Sequence, residues 1–210
     1  MMEATTVRKN RNNYKMYILL LVVAVIFIGF QSFITMSTND VEKQQYRVVK
    51  TEEEFEIRFY PPAILATVRS SARSYREFSS NGFRKIAGYI FGNNESSTKI
   101  AMTSPVHMDI NDQNSSMSFV MPSKYSISEL PKPNDPSLEL HESPAQYVAA
   151  LTFSGYANDE KIKKYSEQLK IALDQKGIKT VGHFSYLGYN PPYQVVARKN
   201  EIIVAIYWKE

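Results

Sequence analysis

Ser74-Tyr75-Arg76-Glu77-Phe78-Ser79-Ser80-Asn81-Gly82-Phe83-Arg84-Lys85-Ile86-Ala87-Gly88-Tyr89-Ile90-Phe91-Gly92 is the stretch on which the fold turns. Ser74 and Glu77 match a capping box, in which the two side chains satisfy the free amide hydrogens of a helix start. Behind them Tyr75, Phe78, Gly82, Phe83, Ile86 and Ile90 recur at three and four residues, and Gly92 is placed to end the pattern. The spacing predicts an amphipathic helix over about 75–91. On both sides the period drops to two. Phe55, Ile57 and Phe59 alternate with Glu54, Glu56 and Arg58 until Tyr60-Pro61-Pro62 stops the strand, and a second strand follows at 63–69. Downstream, Ile100, Met102, Ser104, Val106, Met108 and Ile110 share one face of an alternating run, and Met117, Phe119 and Met121 do the same in the next. A helix set between runs of strands is an α+β signature.

The order then repeats. Pro122, Pro131, Pro133, Pro136 and Pro144 are half of the chain's 10 prolines, so 122–144 reads as a long surface connection. Beyond it Tyr147, Ala149, Leu151 and Phe153 alternate as a strand. Ile162, Tyr165, Leu169 and Leu173 recur with helical spacing over about 159–176, closed by Gly177. Val195–Ala197 and Ile202–Tyr207 are expected to form a hairpin around Arg198-Lys199-Asn200-Glu201. The two halves share an order of elements, which implies a pseudo-two-fold repeat around one mainly antiparallel sheet or barrel, with two helices packed on it.

Working outward to the N-terminus, Tyr17 to Ile34 is eighteen residues without a charge. At about 1.5 Å per residue it covers roughly 27 Å, the hydrocarbon thickness of a bilayer. Gln31-Ser32-Phe33-Ile34-Thr35-Met36 lacks the paired small residues of a cleavage site, so the segment reads as an uncleaved signal anchor. Arg8, Lys9, Arg11 and Lys15 precede the span while Asp40 and Glu42 follow it. The positive-inside bias then puts residue 1 in the cytoplasm and the globular part on the extracytoplasmic side of a single-pass membrane protein. The expected division is a basic tail at 1–16, a transmembrane helix at 17–34, a polar linker at 35–45 and a globular domain at 46–210.

Charge and composition narrow the function. The net charge of +4 is concentrated in residues 1–16, which carry +3; the other 194 residues are nearly balanced, so no nucleic-acid surface is implied. With no cysteine, disulfides, thiolate nucleophiles and thiolate metal sites are excluded. There is no His-Glu-x-x-His, Gly-x-Ser-x-Gly, Gly-x-Gly-x-x-Gly or phosphate loop. His107, His141 and His183 lack partners at metal-ligand spacing. No catalytic constellation emerges, and the chain reads as a binding protein, not an enzyme.

Five segments in order carry a resemblance: Phe55-Glu56-Ile57-Arg58, Met102-Thr103-Ser104-Pro105-Val106, Phe119-Val120-Met121-Pro122-Ser123-Lys124-Tyr125, Phe153-Ser154-Gly155-Tyr156-Ala157, and Gly188-Tyr189-Asn190-Pro191-Pro192-Tyr193 followed by Arg198-Lys199-Asn200-Glu201-Ile202. Together they resemble the SOUL haem-binding protein family across nearly all of 46–208. The resemblance implies a distorted antiparallel barrel flanked by two helices. It also implies non-covalent binding of haem or another tetrapyrrole in a shallow apolar groove, as carrier, buffer or sensor. Carried onto this chain, the groove residues are Phe83, Ile86, Ala87 and Ile90 on the first helix, with Tyr189 and Tyr193 on the proline loop, and Arg84 and Lys85 as cations for the propionates. The helix residues also lie on the stripe that any amphipathic helix buries, so core packing is the competing reading. Pro191-Pro192 stiffens the loop, either to set the entry of the last hairpin or to hold an aromatic wall of the groove. Pro105 lacks a ladder donor and predicts an edge or bulge. His107 is the candidate axial ligand; by alternation it sits with Thr103 and Asp109, opposite Met102 and Met108. The alternative is an apolar small-molecule effector-binding module without haem specificity.

Overall fold

The capping serine is where the sequence places it. In the computed structural model, Ser74 Oγ accepts the Glu77 backbone N–H at 3.2 Å, and Glu77 Oε2 accepts the Arg73 N–H, one residue earlier than in an ideal box. Gly92 follows the helix with φ +110°, a conformation that penalises any side chain. Residues 3–110 and 115–209 are described; Met1, Met2, 111–114 and Glu210 lie outside the described residues, and with them the outer ends of the expected 1–16 tail and 46–210 domain.

The elements in chain order are α1 (Glu3–Asn39), β1 (Glu42–Lys43), β2 (Arg47–Thr51), β3 (Glu56–Tyr60), β4 (Ala63–Ser70), α2 (Tyr75–Ile90), β5 (Thr103–Ser104), β6 (Val106–Ile110), β7 (Ser115–Val120), β8 (Leu138–Ser143), β9 (Gln146–Ser154), α3 (Asp159–Gln175), β10 (Thr180–Gly188) and β11 (Lys199–Ile206). Nine strands form one curled antiparallel half-barrel in the order β2-β3-β9-β11-β10-β6-β7-β4-β8, and β1 pairs with β5 in a short parallel ladder. The sheet is open, with β2 and β8 as its edges, where a closed barrel was one expectation. From β3 to β8 the order reads alike from either end once β3-β4-α2-β6-β7 is matched to β8-β9-α3-β10-β11, with β6 and β10 meeting at the centre.

Registration gives the sheet two chemically different faces. Leu151, Ile202, Tyr186, Met108, Met117, Val68 and Leu138 are lateral partners across seven strands, and α2 and α3 cover this apolar side. One residue away, Thr152, Glu201, Leu187, His107, Ser118, Thr67 and Glu139 form the next row, pointing to the opposite face. Phe78, Ile86, Tyr89 and Ile90 of α2 and Leu169 and Leu173 of α3 are buried in the apolar core.

Several expectations are corrected. The hairpin around Arg198-Lys199-Asn200-Glu201 does not form: Lys199, Asn200 and Glu201 lie within β11, whose partners are β9 and β10. Strand β10 escapes the period-two pattern because its register shifts between Val181 and Ser185, with Gly182 at φ +76° inside the break. The connection at 122–144 contains edge strand β8, which pairs with β4. Pro105 separates two strands: β5, which ends at Ser104, lies in the two-stranded β1–β5 ladder and is an edge there as expected, while β6 continues in the centre of the nine-stranded sheet. Residues 35–39, read as linker, continue α1, and β1 follows almost at once.

Candidate functional site

Two of the family-like segments meet on the sheet face opposite α2 and α3. Arg58, from Phe55-Glu56-Ile57-Arg58, directs Nη1 and Nη2 to the two carboxylate oxygens of Glu201, each at 2.9 Å, across β9. Both side chains are buried, Glu201 completely. Glu201 also accepts the Tyr189 hydroxyl at 2.6 Å and the Thr152 hydroxyl at 3.1 Å, and Lys199 Nζ lies at 2.9 Å. Arg58 further contacts Glu56 at 2.8 Å and lies 4.2 Å from the centre of the Tyr46 ring. Burial by itself raises the Glu201 carboxyl, but Arg58, Tyr189 and Lys199 outweigh it and hold the group down at about 2. Burial and the adjacent Glu201 charge push the Tyr189 hydroxyl well above its ordinary range. The cluster is fully bonded and gives no free acid, base or nucleophile.

The candidate groove residues fall into distinct settings. Ile86, Ala87 and Ile90 are buried beneath α2. The Phe83 ring sits 5.3 Å from that of Phe119 and is 38% exposed. Arg84 is exposed and has no side-chain partner among the described residues, whereas Lys85 donates to Ser137 Oγ at 2.8 Å and lies 3.8 Å from Asp135. Phe119 pairs with Val106, and Val106 with Gly188, the last residue of β10. The proline loop therefore departs from the same lateral row on which Phe83 rests, two strand spacings or about 10 Å away. On that loop Tyr193 is 59% exposed. Tyr189 turns to Glu201 and to the small cluster of Ala150, Leu187 and Ile203, on the sheet face away from α2. His107 shares that face; its Nε2 is 2.7 Å from Gln44 Oε1, and burial, only partly offset by Asp109 and Glu201, lowers its pKa to about 4. Among the described residues no group of three or more histidine, aspartate and glutamate side chains is placed to hold a metal.

Residue-by-residue reading passed over Arg58 and Glu201 as chemistry. The signal was their presence in two family-like segments, but nothing in sequence joined them. A separate concavity of about 310 Å³, also unanticipated, is lined by residues including Lys43, Pro61, Ile64, Met121, Tyr125 and Glu142, near the β1–β5 ladder. The apolar stretch Asn13–Thr38 of α1 is long enough to span a membrane or to serve as a signal sequence.

Comparison with known proteins agrees with these observations. The family model described as SOUL heme-binding protein matches residues 41–205. Heme-binding protein 2 of Mus musculus is 28% identical over 155 residues, covering 70% of this chain and 76% of the relative. Heme-binding protein 1 of Xenopus laevis is 24% identical over 173 residues, covering 77% and 90%. Among solved structures, the EcmrR C-terminal domain superposes with a TM-score of 0.56 at 9% identity, covering 78% of this chain and 99% of that domain. A hydrolase from Listeria innocua gives 0.53 at 7% identity, covering 76% and 94%. At such identities these two likenesses concern the fold alone. The match from 41 to 205 spans β1 to β10, both helices of the repeat and all of β11 but Ile206 without interruption, and the chain belongs to the SOUL heme-binding protein family.

Proposed function

We propose that the chain is a membrane-anchored protein that binds haem or a related tetrapyrrole non-covalently as cargo, serving as a carrier, buffer or sensor. The family match across 41–205 carries the ligand class. The site we favour lies along the flank of α2 where Phe83 rests on Phe119, toward the proline loop. The half-exposed Phe83 ring offers an apolar face, exposed Arg84 a cation for a propionate, and Tyr193 an aromatic edge across the Phe119–Val106–Gly188 row. Ile86, Ala87 and Ile90 back the helix, Lys85 is a second cation already held by Ser137, and Tyr189 anchors the loop through Glu201. His107 is bonded to Gln44 on the other face, so this reading does not use it as an axial ligand. The basic residues ahead of the apolar stretch support a cytoplasmic N-terminus and an extracytoplasmic domain.

Titrating the full chain in detergent with hemin, and following the Soret band, tests the proposal. Saturable binding is expected, weakened at least several-fold by Phe83→Ala or Arg84→Ala and unchanged in band position by His107→Ala. The absence of a saturable shift overturns haem binding, and a shifted band in the His107 variant overturns this placement. A ligand-sensing module without haem specificity is the second reading, favoured by the separate 310 Å³ concavity. It predicts thermal stabilisation by apolar non-porphyrin compounds in preference to hemin.

A further inference from the structure

The end of α1 stays in contact with the domain. Gln31 and Ile34 are only 6% and 5% exposed, while Phe30, Phe33 and Met36 are 55%, 70% and 70% exposed. Positions 31, 34, 35 and 38 fall on one helical stripe. That stripe meets the proline loop: Gln31 Nε2 donates to the Tyr193 carbonyl at 3.3 Å, Gln31 Oε1 accepts the Val195 N–H at 2.9 Å, and Thr38 Oγ1 donates to Gln194 Oε1 at 3.0 Å.

The loop is braced from within. The Arg198 guanidinium donates to the carbonyls of Pro191, Gln194 and Asn190 at 2.6, 2.7 and 3.3 Å, and it stacks 4.3 Å over Tyr156, whose hydroxyl donates to the Pro192 carbonyl at 3.0 Å. Those inward bonds leave Tyr193, Val195 and Val196 facing outward, at 59%, 50% and 54% exposure.

We propose that this loop rests in the surface of the bilayer that α1 crosses, with Tyr193, Val195 and Val196 as its lipid contacts. The inference rests on reading α1 as a membrane helix and is independent of the identity of the ligand. Gln31 is the first polar side chain after the apolar run Ile18–Phe30. An amide at that depth is costly unless both its halves are bonded, and loop backbone supplies both partners. The loop thus stands level with the end of the hydrocarbon span, where tyrosine rings and short apolar side chains partition. Its apolar tips continue the surface of α1, which commits the occupant to lipid ahead of a second copy or a protein partner. A groove bordered by this loop then opens at the membrane surface, within reach of an apolar cargo dissolved there.

Fluorescence quenching by brominated phosphatidylcholine tests the placement on the full chain in vesicles. The single native tryptophan, Trp208, sets the baseline. Tryptophan is added singly at Phe27, Val195, Val196 and Val181; the last is exposed at the far end of β10 from the loop. The expected result is loss of the added emission for Val195→Trp and Val196→Trp with lipids brominated near the headgroup, loss for Phe27→Trp with lipids brominated near the chain end, and none for Val181→Trp. Quenching for Phe27→Trp with none at either loop position overturns the proposal and leaves the membrane helix standing. No quenching for Phe27→Trp removes the membrane reading of α1, and the proposal with it. Equal quenching for Val181→Trp and the loop positions also overturns it, since contact would then not be confined to the loop.

Discussion

Arg58 and Glu201 are 143 residues apart in sequence and share two charge-assisted hydrogen bonds in the interior. Truncating one partner strands the other as a buried charge, so Arg58→Met is expected to cost about 3–5 kcal/mol in urea unfolding. Adding Glu201→Met restores much of that loss, because both charges are then gone. The same residue scale sets the acid response. The Glu201 carboxyl is held below its unfolded value, so its contribution is complete above about 4.5 and is lost as pH falls toward about 2. The His107 imidazole is held down at about 4 against 6.5 when unfolded. Unfolded chains therefore take up its proton first, and stability falls as pH drops from above 6.5 toward 4. Melting temperatures between pH 7 and pH 5 are expected to decline less in His107→Gln than in the native chain. Neither effect was legible in sequence: His107 could be assigned to a face, but its Gln44 partner lies 63 residues away.

Helices α2 and α3 are the elements that sequence specifies best, since cap and stripe are local. Ser74 Oγ accepts the Glu77 N–H, and Asn158 Oδ1 accepts the Lys161 N–H at 2.9 Å. Ser74→Ala and Asn158→Ala are each expected to cost about 1 kcal/mol in denaturant unfolding, additively because the caps serve separate helices. Strands were unevenly legible for a physical reason. Those buried on both faces or against a helix, such as β4 and β9, show clear apolar patterns. The edge strands β2 and β8 are largely solvated, and Glu139, His141 and Glu142 obscure any period in β8. In β10 a bulge shifts the alternation. The proline loop was recognised as stiff, but its bracing by Arg198 depends on residues brought together by the ends of β9, β10 and β11.

Across the whole molecule, the two halves of the repeat share one sheet, joined where β6 meets β10. Met108 is 2% exposed at that seam, with Tyr186 and Met117 as its lateral partners. Met108→Ala is expected to cost about 2–5 kcal/mol. The loss should appear equally in Trp208 fluorescence and in backbone circular dichroism, because neither half has a core of its own; separate transitions for the two probes would contradict this. Sequence by itself determined the α+β class, the two amphipathic helices, the apolar N-terminal stretch and the family, since each is written in local periodicity or in short ordered segments. Tertiary structure alone decided the open half-barrel order, the partition of the sheet into an apolar and a polar face, the Arg58–Glu201–Tyr189 cluster and the seating of Gln31 on the proline loop. All four depend on registration between strands and helices distant in the chain. Registration is fixed by the packing of the whole sheet, where a shift of one residue would exchange its two faces.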